Sequence, residues 1–322
     1  MSAPSFTATT TADEVARAFT EQIRGKNVLI TGTSLNGIGF ETARVLAKDA
    51  NLVIITGHNS ERLKLTEETI KKDVPGANIR PLVLDLSSLA AVRKAATEVN
   101  AYAEPLHVLI HNAAAGVGPF ALTVDNLEKQ MATDHVGPFL LTKLIAPKLL
   151  AAHTAAYTPR VVVVSSAGHA LCTGIDLSTV AHPDPEKYIQ SDAYCKAKCA
   201  NILFASELSK RAGGKIKAYS LHPGAIFTNL NSSVEAKQGL ADFGFLTADF
   251  QPTDKLAWKT QPQGAATTVA AAFDPRLEDK PGSYLFDCVA ANDQIAPHAS
   301  DSATAAKLWT ITEQIIGETF TF

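Results

Sequence analysis

Six short runs of branched apolar residues recur between Asn27 and Leu221, and a segment of helical period separates nearly every neighbouring pair. The runs are NVLIT (27–31), LVIIT (52–56), RPLVLD (80–85), HVLIH (107–111), RVVVVS (160–165) and IKAYSL (216–221). Between them lie FETARVLAKD, ERLKLTEETIKKD, LAAVRKAATEVNAYA, LEKQMATDHVGPFLLTKLIAPKLLAAH and DAYCKAKCANILFASELSKRA. Strands this apolar predict burial on both faces, as in a parallel sheet with helices above and below. Right-handed crossovers then build a Rossmann-like, doubly wound α/β fold. A helix at 264–273 and a strand at 283–287 extend it. No linker-like stretch or repeat divides the 322 residues, so one domain is expected. Residues 1–24 read as a tail and an amphipathic helix with Val15, Phe19 and Ile23 on one stripe, and 25–322 as the Rossmann domain.

The segment 231–263 breaks this rhythm. It carries Phe243, Phe245, Phe250 and Trp258 among Gly, Asp and Pro. A loop of that length inside a compact domain predicts a substrate lid, and a bulky, largely apolar substrate. A helix packed on the core would use the same aromatics.

Charge and composition narrow the partners. The formal net charge is −3 and no basic run is long enough to follow a phosphate backbone, which argues against nucleic acid. No stretch reaches the ~18 apolar residues of a membrane span. The N-terminal residues have neither the basic nor the apolar region of a secretory signal. Four cysteines show no metal-ligand spacing, so no metal is expected. Reduced thiols and a cytoplasmic location follow.

The first strand runs straight into Thr31-Gly32-Thr33-Ser34-Leu35-Asn36-Gly37-Ile38-Gly39 and then a helical segment. Glycines at a strand-to-helix turn let the backbone approach a pyrophosphate, and the helix N-terminus offers free N–H groups. After the second strand comes Thr56-Gly57-His58-Asn59, with no carboxylate to bind a ribose 2′-hydroxyl. NADP(H) is therefore the expected cofactor, with Ser34, Thr56, His58 and Asn59 as candidate contacts to its 2′-phosphate.

Proton transfer to a carbonyl oxygen needs an acid matched to neutral pH. Tyrosine is too weak alone, and a nearby ammonium strengthens it. Tyr194 and Lys198 stand at i and i+4, on one helix face. No other tyrosine of the six has lysine four residues later.

These segments together resemble the short-chain dehydrogenase/reductase family, over roughly residues 25–317. The glycine loop resembles its TG-xxx-GxG turn with one extra residue. AYCKAKCANILFASELSKR closely resembles the helix of retinol-dehydrogenase-like members, and the C-terminal text resembles those and fungal secondary-metabolism relatives. The resemblance implies a hydride-transferring enzyme in which Tyr194 is the acid/base, Lys198 tunes it and Ser166 polarises the substrate oxygen. Ser165 is the alternative to Ser166. Asp134 stands where the family carries an asparagine. Asp85 and Leu86 match the adenine bracket, and Asn112 and Ala113 the motif after strand four. Pro223, Gly224, Ile226 and Thr228 match the nicotinamide side, and Gly32, Asn36, Gly37, Ile38 and Gly39 the pyrophosphate turn. His169 and Leu171 are candidate substrate contacts. A homodimer or homotetramer paired through helices at 124–152 and 192–212 is also implied. Two rival readings remain: a site repurposed for imine reduction or a non-redox step, given Asp134, and a non-catalytic NADP-sensing protein.

Overall fold

The computed structural model describes residues 4–322. Ten strands are present among them: β1 (Asn27–Ile30), β2 (Leu52–Gly57), β3 (Ile79–Val83), β4 (Val108–His111), β5 (Arg160–Val164), β6 (Lys217–His222), β7 (Ala225–Ile226), β8 (Trp258–Lys259), β9 (Tyr284–Phe286) and β10 (Val289–Ala290). Eight of them form one sheet in the order β10-β9-β6-β5-β4-β1-β2-β3. The order reverses between β1 and β4, which opens a crevice beyond their carboxyl ends. The fold is the expected single-domain, Rossmann-like α/β sheet, parallel from β3 to β9.

Strand burial follows from position. All four residues of β1 and β4 and all five of β5 are buried, because helices cover both faces there. β3 stands at the edge, where Pro81 removes no needed ladder bond. At the other edge β10 runs antiparallel to β9, which the sequence pattern does not announce. Asp287 and Cys288 make the turn with φ of 48° and 67°, the left-handed pair that a tight hairpin requires.

One core lies between the sheet and the Leu89–Ala101, Gly137–Leu150 and Gln190–Arg211 helices. The other joins the Ile38–Leu46 and Gln261–Phe273 helices to the N-terminal helix Ala12–Ala18. Val15, Phe19 and Ile23 are buried in it as expected.

The Ser302–Ile316 helix closes the first core. Trp309 lies edge-on to Phe139, with ring centres 4.7 Å apart, and beside Phe204 and Phe320. Glu318 ties this segment to Arg93 and Lys143. The chain's own residues therefore already cover part of the two helices through which subunit pairing was expected.

The continuous helix expected over 127–153 is interrupted. Residues Ala132–Val136 form a π-helical turn before Gly137–Leu150 begins. Pro138 has no N–H to offer the carbonyl of Asp134 four residues back, and its ring crowds that carbonyl. A wider turn relieves the conflict, and it is centred on Asp134.

The segment 231–263 is only partly loop. Ser233 caps a helix over Val234–Asp242, and parallel pairing of β7 with β8 draws the two ends of the segment together.

Candidate active site

A cleft of about 590 Å³ opens at the carboxyl ends of the central strands. Its first half is built on the glycine turn. Gly32 has φ 70°, and a methyl there would sit 2.7 Å from Ala113 Cα, so only glycine lets β1 and β4 end this close together. Gly39 packs against the Asn112 side chain and Gly32 O, and any Cβ would strike both. Asn36 takes the remaining left-handed position, φ 61°. Gly37 precedes the Ile38–Leu46 helix without a side-chain cap. The helix thus keeps its positive end and first amides for an anion.

Gly32, Ser34, Gly37, Ile38, His58, Asp85, Leu86, Asn112 and Ala113 all line this half. Asn112 donates to Thr31 O (2.9 Å) and Gly32 O (2.8 Å), pinning the turn to the end of β4. Three expected contacts lie elsewhere. Asn36 and Gly39 shape the turn from outside the cleft lining. Asn59 caps the Ser60–Asp73 helix by accepting from Arg62 N at 2.9 Å. Thr56 reaches the cleft, but its hydroxyl accepts from Gly32 N (3.3 Å) and it is buried. Its duty is to hold the turn. His58 is exposed at the rim. A glycine cradle, free helix amides and the absence of a carboxylate beside His58 together fit a dinucleotide phosphate.

The second half carries the residues expected to act on the substrate. Tyr194, half-buried, and Lys198 lie one turn apart on the Gln190–Arg211 helix, with Lys198 Nζ 5.4 Å from the phenol ring centre. Ser166 follows β5. Its Oγ accepts from Gly168 N at 3.0 Å, which leaves its own proton to donate. A methyl on Gly168 would lie 3.3 Å from Ser166 Oγ and 3.5 Å from Tyr194 Cε1. Gly168 keeps open the space between those two groups, a role that sequence spacing did not single out. Ser165 is different: it is buried and donates to Lys198 O at 2.6 Å, so its proton is committed.

Asp134 does not line the cleft. It is buried behind Lys198, with Oδ2 2.7 Å from Lys198 Nζ, while Oδ1 accepts from Ala115 N at 2.7 Å. Burial raises the Asp134 carboxyl above its ordinary value, although Lys198 draws it partly back. For Lys198 burial alone would lower the value, and Asp134, together with Tyr194, more than reverses it. The lysine therefore stays charged with its counter-ion on the side away from substrate. Ala115 and the π turn were not legible as partners, since neither has a local sequence mark.

His169 also departs from expectation. It is buried, its Nδ1 donates to Ser166 O (2.7 Å), and its Nε2 accepts from Ala296 N (3.2 Å). Both ring nitrogens are spent inside the protein, and burial lowers its pKa. His222 behaves likewise: it accepts from Ala167 N, stacks on Phe286, and is pushed down to about 3 by burial. Leu171 does line the cleft and is exposed. Pro223, Gly224, Ile226 and Thr228 form the floor opposite the glycine turn. Val117, Leu230, Leu240, Phe243, Phe245, Leu256 and Trp258 complete a wall with no charged side chain.

The chain is 35% identical over 312 residues to short-chain dehydrogenase TIC 32 A, chloroplastic, of Brassica napus, covering 95% of this chain and 92% of that one. It belongs to the short-chain dehydrogenase family. The family model for short chain dehydrogenase matches residues 26–174. This short-chain dehydrogenase is also 32% identical over 300 residues to human retinol dehydrogenase 12, covering 92% and 88% of the two chains. Among solved structures it resembles an uncharacterized protein from Mycobacterium Paratuberculosis, with a TM-score of 0.67, 29% identity and coverage of 93% and 96%. Oxidoreductase chemistry with a nicotinamide cofactor comes with the family. No helix among the described residues is long and apolar enough to cross a membrane.

Proposed function

We propose that this protein is an NADP(H)-dependent oxidoreductase that interconverts a carbonyl and an alcohol on a bulky, largely apolar small molecule. One observation carries the reading: Tyr194, Lys198 and the free hydroxyl of Ser166 converge where the glycine-turn crevice meets an apolar wall.

When bound, the dinucleotide supplies hydride to the substrate carbon. The chain supplies the rest. Tyr194 Oη gives its proton to the carbonyl oxygen, and Ser166 Oγ donates a hydrogen bond to the same oxygen as charge develops there. Lys198, cationic and buried, stabilises the phenolate that remains and is placed to hold the ribose hydroxyls. Phe243, Phe245 and Trp258 exclude water and set the substrate's shape. The proposed lid is the segment 231–263.

The test uses NADPH deuterated at both C4 positions with a panel of ketones and aldehydes. Deuterium on the product carbon is expected. Product formed without deuterium overturns hydride transfer and favours the repurposed, non-redox site that Asp134 in place of asparagine raises as a second reading.

Preference for NADP rests on His58 at the crevice rim without a neighbouring carboxylate. An imidazole N–H can donate a hydrogen bond to a 2′-phosphate, a contact that NADH does not offer. His58→Ala should therefore weaken NADPH by about 3–10-fold, the worth of one hydrogen bond, and leave NADH unchanged. Equal NADPH affinities for parent and variant, read by calorimetry, remove His58 from the site. Four unpaired cysteines fit a reducing location such as the cytoplasm.

A further inference from the structure

The apolar wall and the glycine turn are joined by two hydrogen bonds that the chemistry of the site does not require. Asn229 Nδ2, just after β7, donates to Leu35 O. Gln261 Nε2, just after β8, donates to Asn36 O at 2.9 Å. Both acceptors belong to the stretch of the turn that carries the extra residue. Both donors flank the neck where β7 and β8 pair. Gly264, one helical turn on, packs so closely on Ile226 and Ile38 that no Cβ fits, which presses the same neck onto the start of the phosphate-facing helix.

The far side of the segment rests on glycines as well. A methyl on Gly239 would lie 3.0 Å from Val117 Cγ1, and one on Gly116 2.9 Å from Leu230 O. The lid is thus held at its neck by the cofactor turn and by Gly116, and along its Val234–Asp242 helix by Val117 of the loop after β4.

We propose that Asn229 and Gln261 are positioning residues that couple occupancy of the glycine turn to closure over the substrate of residues 231–257, the part of the lid ahead of β8. The inference rests on the dinucleotide reading above. Amides of the turn that face an anion fix the orientation of their peptide planes. The carbonyls of Leu35 and Asn36 are then held outward, toward the two side-chain amides. Without an anion those acceptors are less constrained, and the two ties hold the neck for a smaller share of the time. Such coupling is reciprocal: whatever closes the lid also tightens the cofactor.

Amide hydrogen exchange across residues 231–257, with and without saturating NADP⁺, reads this directly. In the unaltered protein NADP⁺ should slow exchange there by about 5-fold or more, the lower end of ordinary coupling between sites. Gln261→Met and Asn229→Leu keep side-chain length but remove the donor. Each should still bind NADP⁺ by calorimetry, and together they should bring the ratio of exchange without and with NADP⁺ close to one. Gln261 is only partly buried, in the first turn of its helix, so Gln261→Met alone decides the matter if the double variant does not fold. A merely structural strut raises exchange equally in both states and leaves the ratio unchanged; that result overturns the proposal, as does an unaltered protein that binds NADP⁺ without protecting the segment. Failure of both NADP⁺ and NAD⁺ to bind the unaltered protein overturns this inference together with the dinucleotide reading, and calorimetry separates that case from the other two.

Discussion

Tyr194→Phe is expected to lower turnover by about 10²–10⁴-fold, the range supplied by a positioned acid or base, while leaving the dinucleotide bound. The substitution removes one oxygen and keeps the ring that packs at the cleft wall. Ser166 keeps a free hydroxyl beside it, but an alcohol is a far weaker acid than a phenol, and the other neighbours are already engaged. Lys198 is locked to Asp134, Ser165 donates to a backbone carbonyl, and both nitrogens of His169 are engaged. Steady-state kinetics beside calorimetric NADP⁺ binding checks the result. Turnover that survives unchanged removes Tyr194 from the chemistry. A parent protein that binds NADP⁺ yet turns over none of the panel of carbonyls points instead to a cofactor sensor.

The second large effect lies behind the reacting groups. Asp134→Leu leaves the Lys198 ammonium buried with no counter-charge, which should cost about 3–5 kcal/mol of folding stability and show as a lowered Tm. Asp134→Asn is subtler. The two carboxylate oxygens face two donors, Lys198 Nζ and Ala115 N, so an amide must turn its own NH₂ toward one of them. It also removes the negative charge. Lys198 then loses the larger of the two influences that raise it, keeping only Tyr194's, while burial still pulls it down. Below that value its uncompensated charge stabilises the Tyr194 phenolate more strongly than before. Both effects move in one direction, so the pH profile of alcohol oxidation should shift toward acid by about 1–3 units. Measured kcat against pH that superimposes on the parent curve would mean that Asp134 only supports the fold.

What could be read from the sequence, and what could not, divides along a physical line. Strand interiors announce themselves, because β1, β4 and β5 are apolar at nearly every position and can be nothing but buried. Tyr194 and Lys198 are legible because helical spacing fixes their relation without knowledge of the rest. The misses arise where a second contact, near or far along the chain, overrides the pattern. The π turn at Ala132–Val136 depends on Pro138 meeting a carbonyl within an otherwise good helix, and periodicity sees the helix rather than the conflict. His169 sits three residues after Ser166 and looks available for substrate, yet Ala296 N occupies its outer nitrogen from 127 residues away. Asn59 looked like a phosphate contact, but a helix start claims its side chain first. Gly168, Gly116 and Gly239 carry no local signal at all, since what they accommodate comes from other segments.

The neck formed by β7 and β8 has a bearing on how proteins of this kind diversify. Two residues on each side, paired in parallel, carry the chain out of the body and back at one point. Everything between can lengthen, shorten or change its aromatics while the glycine turn, Tyr194, Lys198 and Asp134 stay where the sheet puts them. New specificities can accordingly arise by swapping a cassette, at little risk to the folding of the remainder.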